Sequence, residues 1–468
     1  MSAPKLMIKP THLGLFTDLY ELTMAQAYFE HDALSEATFS LVIRQNPANR
    51  GFMVCSGLSD VLEYLESPPF DNDDLGHLRS TGIFSDEFLK YLGSLTKFSG
   101  SIRAIPEGRI FFSNEPVLEI TGPIVQVQLA ETYIINQINF QTLLATKAAR
   151  CYIAANGRGL ADFASRRTHG TDAALKMARS SYIGGFLSTS NVLAGLHYGI
   201  NLSGTMAHSF ISSFASEIEA FRAYSKSFPH RTILLLDTYD TIKGAKHAVI
   251  IGKELEEAGY KLLGVRLDSG DFDSLSRQVR TILDDAGLSY VNIIASGGLD
   301  EFQIETLVKS NAPIDQFGVG TKVGVSADAP WSDMSYKLVE YDQRPVMKLS
   351  TDKISMPGKK QVFRFQQDKA MFKRDVIGSS NENLSGAQHL LDQILLDGTR
   401  LIDTPDLQTI RNHFLNDLSK LEQKYQGLCN PDQYPVCISP KLQKLTDQVH
   451  KKLIQTGEKP NALISQDS

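Results

Sequence analysis

ILLLDTYDT at 233–241, LLGVRLDSGD at 262–271, VNIIASGG at 291–298 and QFGVGTK at 316–322 follow one pattern, a short apolar run and then a polar turn. The intervening text is amphipathic and predicts helices over 242–258, 274–286 and 301–309. Apolar runs without alternation suit strands covered on both faces, and helical connections between them make those strands parallel. No GxGxxG turn follows a first strand, so a dinucleotide-binding sheet is disfavoured and a barrel-like α/β domain is preferred.

In such barrels the reactive groups sit at the C-terminal strand ends. Here the ends carry Asp237, Thr238 and Asp240, then Arg266, Asp268 and Asp271, then Ser296, Gly297 and Gly298, then Gly320, Thr321 and Lys322. Gly297, Gly298 and Gly320 would let backbone N–H groups approach a phosphate, with Ser296 and Thr321 adding hydroxyls and the helix that begins near Asp300 adding its positive end. Tight turns alone would also explain such residues, although two in succession favour phosphate. Magnesium favours a few carboxylates plus phosphate oxygens, which makes Asp268 or Asp271 a possible ligand. Asp240 and Asp271 read equally well as helix caps. Arg266 and Asp268 stand two apart in a strand and share a face, where a charged pair needs a partner or a ligand.

Working outward, ADFASRRTHG at 161–170 puts Arg166, Arg167 and His169 at a strand-to-helix turn suited to a phosphate or carboxylate, or simply to solvent. GTMAHS at 204–209 holds Thr205 and His208, and periodicity alone leaves that histidine structural. Further upstream, a helix is expected over Leu19–Phe29, opened by Thr17 or Asp18, with strands over Ala37–Arg44 and Gly51–Ser56 and strand-rich text to Leu129. A helix over Glu131–Ala155 leads into the alternating text. Beyond Ser350, KISMPGKKQVFRF at 353–365 reads as strand, 405–456 as mainly helical and 456–468 as frayed. Three regions result: an N-terminal α/β domain at 1–130, the barrel at 131–350, and a C-terminal extension at 351–468 that is expected to pack on the first.

Composition bounds the function. Of 468 residues, 42% are hydrophobic and 21% charged, a globular balance, and a net charge of -6 lacks the basic excess of a duplex nucleic-acid binder. The first residues, MSAPKLMIKPTHLGLF, lack the apolar core of a leader, and no run is apolar for long enough to span a bilayer. Cys55, Cys151, Cys429 and Cys437 form no CxxC pair, which argues against zinc and a disulfide framework and for a reducing, cytoplasmic setting.

TDLYELTMAQAYF, DFASRRTHGTDAALKMARSSYIGGFLSTSN, SGTMAHSF, LLLDTYDT, GVRLDSGD, IASGGLDE and FGVGTK, in this order, resemble nicotinate phosphoribosyltransferases from about Leu13 to Lys348, with an echo in NPDQYPVCIS. The resemblance implies a type II phosphoribosyltransferase fold, an irregular TIM-like α/β barrel, in a homodimer with shared active sites. It implies nicotinate, 5-phosphoribosyl 1-pyrophosphate and ATP as substrates and magnesium as cofactor, in the first step of NAD synthesis from nicotinate. His208 would be the phosphorylated histidine. Tyr20, Thr205 and Arg266 would contact nicotinate, Arg166 would lie beside the pyridine ring, Thr321 would hold the phosphoribosyl phosphate, and Asp268 would lie near ring and ribose. The related nicotinamide enzymes carry an aspartate in the segment equivalent to LSTSN. Here Ser188, Thr189 and Ser190 offer hydroxyls, which favours a carboxylate substrate. The rivals are a nicotinamide or quinolinate transferase, a phosphosugar isomerase or aldolase using Lys243 or Lys322, and a metabolite sensor without catalysis.

Overall fold

The leucine run at 233–236 forms a strand because it is sealed from water: Leu234, Leu235 and Leu236 are fully buried in the computed structural model, which describes residues 10–349, 355–367 and 370–455. Most of the N-terminal stretch read against a leader, the start of KISMPGKKQVFRF and the segment 456–468 lie outside the described residues. The chain forms two units, one of residues 143–330 and one of residues 1–142 with 331–468, against the 130 and 350 boundaries expected. The first of these divisions falls inside the helix Glu131–Ala155, whose limits are those read from the sequence.

The 143–330 unit carries six parallel strands: β1 (Gly159–Asp162), β2 (Ser188–Thr189), β3 (Ile233–Leu235), β4 (Gly264–Leu267), β5 (Asn292–Ser296) and β6 (Gln316–Val319). Their order is β2-β1-β6-β5-β4-β3. Each neighbouring pair is parallel. Val265, Leu267, Ile293, Ala295, Phe317 and Val319 are fully buried, as a sheet covered on both faces requires. The sheet is an open half-barrel. No strand pair joins β2 to β3 among the described residues, so the full barrel expected from the sequence is not what the ladder forms. The segment beyond β2 makes a single bridge, Thr189 to Leu202. Its sequence, GINLSGT at 199–205, has two glycines and no β-branched run to extend a strand.

Three successive strand-to-helix turns end in an aspartate cap. Asp240 accepts from the Lys243 amide at 2.7 Å, opening the helix Thr241–Glu257. Asp271 accepts from Asp273 and Ser274, opening Phe272–Asp285. Asp300 accepts from Phe302 and Gln303, opening Glu301–Lys309. Each such cap contributes about 1 kcal/mol and sets where the chain leaves the strand tip. The last helix is also anchored from inside: Glu301, fully buried, pairs with Lys147 at 2.5 Å and Arg150 at 3.0 Å.

In the other unit a seven-stranded antiparallel sheet pairs Glu36–Ile43 with both Pro116–Pro123 and Met334–Tyr341, and takes in Asp392–Leu396 through Ser101–Ala104. Strands from both ends of the chain therefore share one ladder. A second, four-stranded sheet holds the buried pair Arg364–Asp375 at 2.6 Å. Helices Leu407–Lys420 and Pro440–Gln455 supply the helical text expected near the C-terminus. No helix among the described residues is long and apolar enough to cross a membrane.

Candidate active site

Arg266 is the centre of the group at the strand tips. It projects from β4, and its Nη1 lies 3.3 Å from Asp268 Oδ1 and 3.4 Å from Ser296 Oγ at the end of β5. Its Nη2 donates to the Met206 carbonyl oxygen at 2.8 Å. Three of its five N–H groups are used in this way, and Nε, one of the other two, is buried without a partner. Burial pushes the guanidinium below its ordinary value; Asp268 and Asp237 oppose that, and the charge of nearby Arg166 adds to it. A buried guanidinium with an unspent N–H retains a desolvation cost that an incoming anion would relieve.

Asp268 also faces His208, whose Nε2 stands 3.8 Å from Asp268 Oδ2. The other ring nitrogen, Nδ1, lies 3.1 Å from Thr238 Oγ1 just past β3. His208 begins a five-residue helix, Thr205 lies three residues earlier, and the imidazole is part-exposed. Ser296 Oγ donates to Asp268 Oδ1. Asp237 receives the Asp268 amide at 3.0 Å and the Ser269 hydroxyl at 2.6 Å, stitching the β3 turn to the β4 turn. Its second carboxylate oxygen is buried without a partner.

The glycine turn follows β5. Gly297 has φ +95°, and a Cβ there would lie 1.9 Å from the Asp268 carbonyl oxygen, so only glycine fits. Gly298, at φ +70°, faces open space. The helix that follows adds less than its position promised. The side chains of Asp300 and Gln303 form a capping box that occupies the first free amides, and Lys322 Nζ sits on Asp300 at 2.7 Å. Anion-holding capacity on this side therefore rests on the exposed Gly297–Gly298 backbone. Gly320 and Thr321 close β6 in the adjacent turn, with Thr321 exposed.

Asp240 and Asp271 act as helix caps, one of the two readings of the sequence, each through Oδ1. One expectation needs correction. Thr189 is not free for a substrate: it is fully buried and donates to Asp162 Oδ2 at 2.7 Å. An acid the sequence reading passed over thus lies beside LSTSN. Asp162 ends β1, accepts also from the Ala164 amide at 2.8 Å, and is pushed up to about 6 by burial, against both hydrogen bonds. It fixes the turn that carries the exposed Arg166. Its signal was present in DFASRR, where an acid inside strand text is costly without partners. No group of three His, Cys, Asp or Glu side chains among the described residues is spaced to hold a metal ion.

Tyr20 lies in the other unit, half-exposed in the first turn of the helix Leu19–Glu30. Burial and a hydrogen bond to Glu21 raise its hydroxyl. Glu21 is fully buried beside Glu131, which burial and the Glu21 charge push up to about 7. That unit also holds a recess lined by Arg44, Ser335 and Lys337, in which Arg44 Nε and Ser335 Oγ are buried without partners. The sequence reading missed it because its donors come from strands almost 300 positions apart that pair across the ladder.

Parallel strand tips that gather a guanidinium, a histidine, carboxylates and a glycine turn define an α/β protein whose site is arranged for anionic substrates. Three family models match the chain: the nicotinate phosphoribosyltransferase N-terminal domain over 15–139, the nicotinate phosphoribosyltransferase family over 159–373, and the C-terminal domain over 383–446. Nicotinate phosphoribosyltransferase pncB2 of Mycobacterium tuberculosis is 46% identical over 434 residues, covering 92% of this chain and 93% of that protein. The crystal structure of human nicotinic acid phosphoribosyltransferase matches with a TM-score of 0.84 at 28% identity, covering 92% of this chain and 99% of that one. A nicotinate-nucleotide pyrophosphorylase from Pyrococcus furiosus matches with a TM-score of 0.73 at 25% identity, covering 89% of this chain and 98% of that one. The chain belongs to the nicotinate phosphoribosyltransferase family.

Proposed function

We propose that this chain transfers the phosphoribosyl group of 5-phosphoribosyl 1-pyrophosphate to the ring nitrogen of nicotinate, coupled to ATP hydrolysis, as the first step of NAD synthesis from nicotinate. The products are nicotinate mononucleotide, pyrophosphate, ADP and phosphate. The observation that carries this reading is Arg266, a buried guanidinium with an unpaired Nε beside the His208–Asp268 pair. A carboxylate on a flat ring matches that donor, with Arg166 near enough for its charge to act on Arg266, and Thr205 next to Met206, whose carbonyl Arg266 holds, to complete the pocket.

The pyridine nitrogen attacks the anomeric carbon while the carbon–oxygen bond to pyrophosphate breaks, and positive charge grows on the sugar. The Asp268 carboxylate stabilises that charge. The Gly297–Gly298 backbone, Ser296, Gly320 and Thr321 hold the sugar phosphate. His208, with Nδ1 held by Thr238 Oγ1, presents Nε2 to the terminal phosphoryl group of ATP; ADP leaves, and water later releases phosphate from the nitrogen. Magnesium, held mainly by substrate phosphates with Asp268 as the protein carboxylate, would neutralise the pyrophosphate leaving group. We read the half-barrel as the irregular TIM-like barrel of type II phosphoribosyltransferases, in a homodimer to whose shared sites a neighbour's Tyr20 contributes. All four cysteines are free, in keeping with a reducing, cytoplasmic setting.

A second reading is transfer to quinolinate, whose ring bears one carboxylate more. Two substrate carboxylates would call for a denser set of cations than Arg266 and Arg166. Nicotinate, nicotinamide and quinolinate assayed side by side for pyrophosphate release separate the readings. Nicotinate is expected to exceed both others by at least tenfold in kcat/KM, and a preference for either of the others would reverse the assignment.

A further inference from the structure

The unit of residues 1–142 and 331–468 contains a second cavity, of ≈ 140 Å³. Its floor is aliphatic: Leu58, Leu62, Ile394 and Ile410 line it and are all buried. Its rim is the 402–405 segment, where Ile402 contributes an exposed side chain. The recess opens at this rim, and its volume is on the order of that which accepts a benzene-sized molecule.

The polar groups around it have one sign. His413 Nδ1 lies 3.0 Å from the Glu107 carbonyl oxygen. A carbonyl only accepts, so Nδ1 carries a proton and donates here. The Glu107 carboxylate accepts from the Gly57 amide at 2.7 Å and from Ser59 Oγ. Asp392 and Asp403 complete the wall, and neither lysine nor arginine lines it. Two guanidiniums stand close by and both are paired elsewhere: Arg109 with Asp417 at 2.7 Å, and Arg400, which donates to Thr404 Oγ1 on the rim at 2.6 Å, with Glu66 at 2.7 Å. A ligand that brought a carboxylate or phosphate would meet three carboxylates here, so the reaction's own substrates do not match this site.

We propose that this cavity binds a compact, non-anionic molecule with an aromatic or aliphatic ring and one hydrogen-bond-donating end, an amine or amide. The ring rests against Leu62, Ile394 and Ile410, and the donor meets Asp392. Benzylamine, benzyl alcohol and benzoate are suitable probes for calorimetric titration of the full-length protein. Benzylamine is expected to bind saturably and at least tenfold more tightly than benzoate. Ile410→Phe, which fills the floor, should weaken benzylamine by at least tenfold. Asp392→Asn should remove the preference for benzylamine over benzyl alcohol. Should Ile410→Phe fail to fold, Ile402→Arg at the exposed rim places a cation at the mouth and should weaken benzylamine in the same direction. Absence of saturable benzylamine binding, equal binding of benzoate, or unchanged affinity in whichever of these two variants folds would overturn the proposal.

Discussion

Arg266 is where the chemistry is most exposed to test. Its Nη groups reach Asp268, Ser296 and Met206, and Nε is buried without a partner. Lysine keeps the charge and loses the fork, so Arg266→Lys should raise KM for nicotinate tenfold or more while kcat falls less. Initial rates over a nicotinate series check this, and an unchanged KM would remove Arg266 from the pocket. At this scale much was legible. Arg266, Asp268, Ser296 and His208 stood in the sequence as polar residues at the ends of apolar runs, a placement that costs free energy unless it serves something. Thr238 as the histidine's partner and Asp162 behind Arg166 were not legible, because both act through side-chain contacts between neighbouring strands and not through spacing along one. Ser188 and Ser190 keep the hydroxyls the sequence offered, whereas Thr189 spends its own on Asp162.

The turn after β1 depends on that aspartate. Asp162 accepts from Ala164 and Thr189 while burial holds its carboxyl at about 6, above its ordinary 3.8. A carboxyl raised on folding contributes stability that is fully present below about pH 3.8 and is lost as pH rises to about 6, on the order of 3 kcal/mol in all. Asp162→Asn, which keeps an acceptor and adds a donor, should flatten the fall in stability between those values. It should also raise KM for nicotinate by loosening the Arg166 turn. Urea unfolding at pH 4 and pH 6.5 measures the first effect, and an undiminished slope would show that the carboxyl is not buried as described. Helices were the most legible elements: Glu131–Ala155 and Glu301–Lys309 match their sequence reading, because a 3.6-residue period marks the buried face and, in the second, the Asp300 cap marks the start. Strand ends were read too long. The β6 ladder stops at Val319 while the apolar text runs on to Gly320, since pairing needs a neighbour and not only a β-like residue.

At the scale of the molecule, the join between the chain's two ends was the least legible feature. Glu36–Ile43 pairs with Met334–Tyr341, and nothing local in either segment names its partner. The same limit applies to Tyr20, which only the resemblance ties to the site. If the site is shared across a homodimer, mixing inactive Tyr20→Ala protein with inactive His208→Ala protein and allowing subunits to exchange should restore up to about a quarter of the wild-type sites in ATP-coupled turnover, because statistical pairing leaves one intact site in half of the dimers. No recovery after proven exchange would place Tyr20 and His208 of one chain in the same site.

The central claim, that the strand-tip group around Arg266 and His208 makes nicotinate mononucleotide at the expense of ATP, is tested most directly by one assay. Nicotinate and phosphoribosyl pyrophosphate are supplied to wild-type and His208→Ala protein with and without ATP, and both nicotinate mononucleotide and ADP are quantified. Wild-type protein should form the two in a fixed ratio when ATP is present. The variant should retain slow mononucleotide formation, indifferent to ATP, with no linked ADP. No mononucleotide from the wild type, or undiminished linked ADP from the variant, would contradict the account.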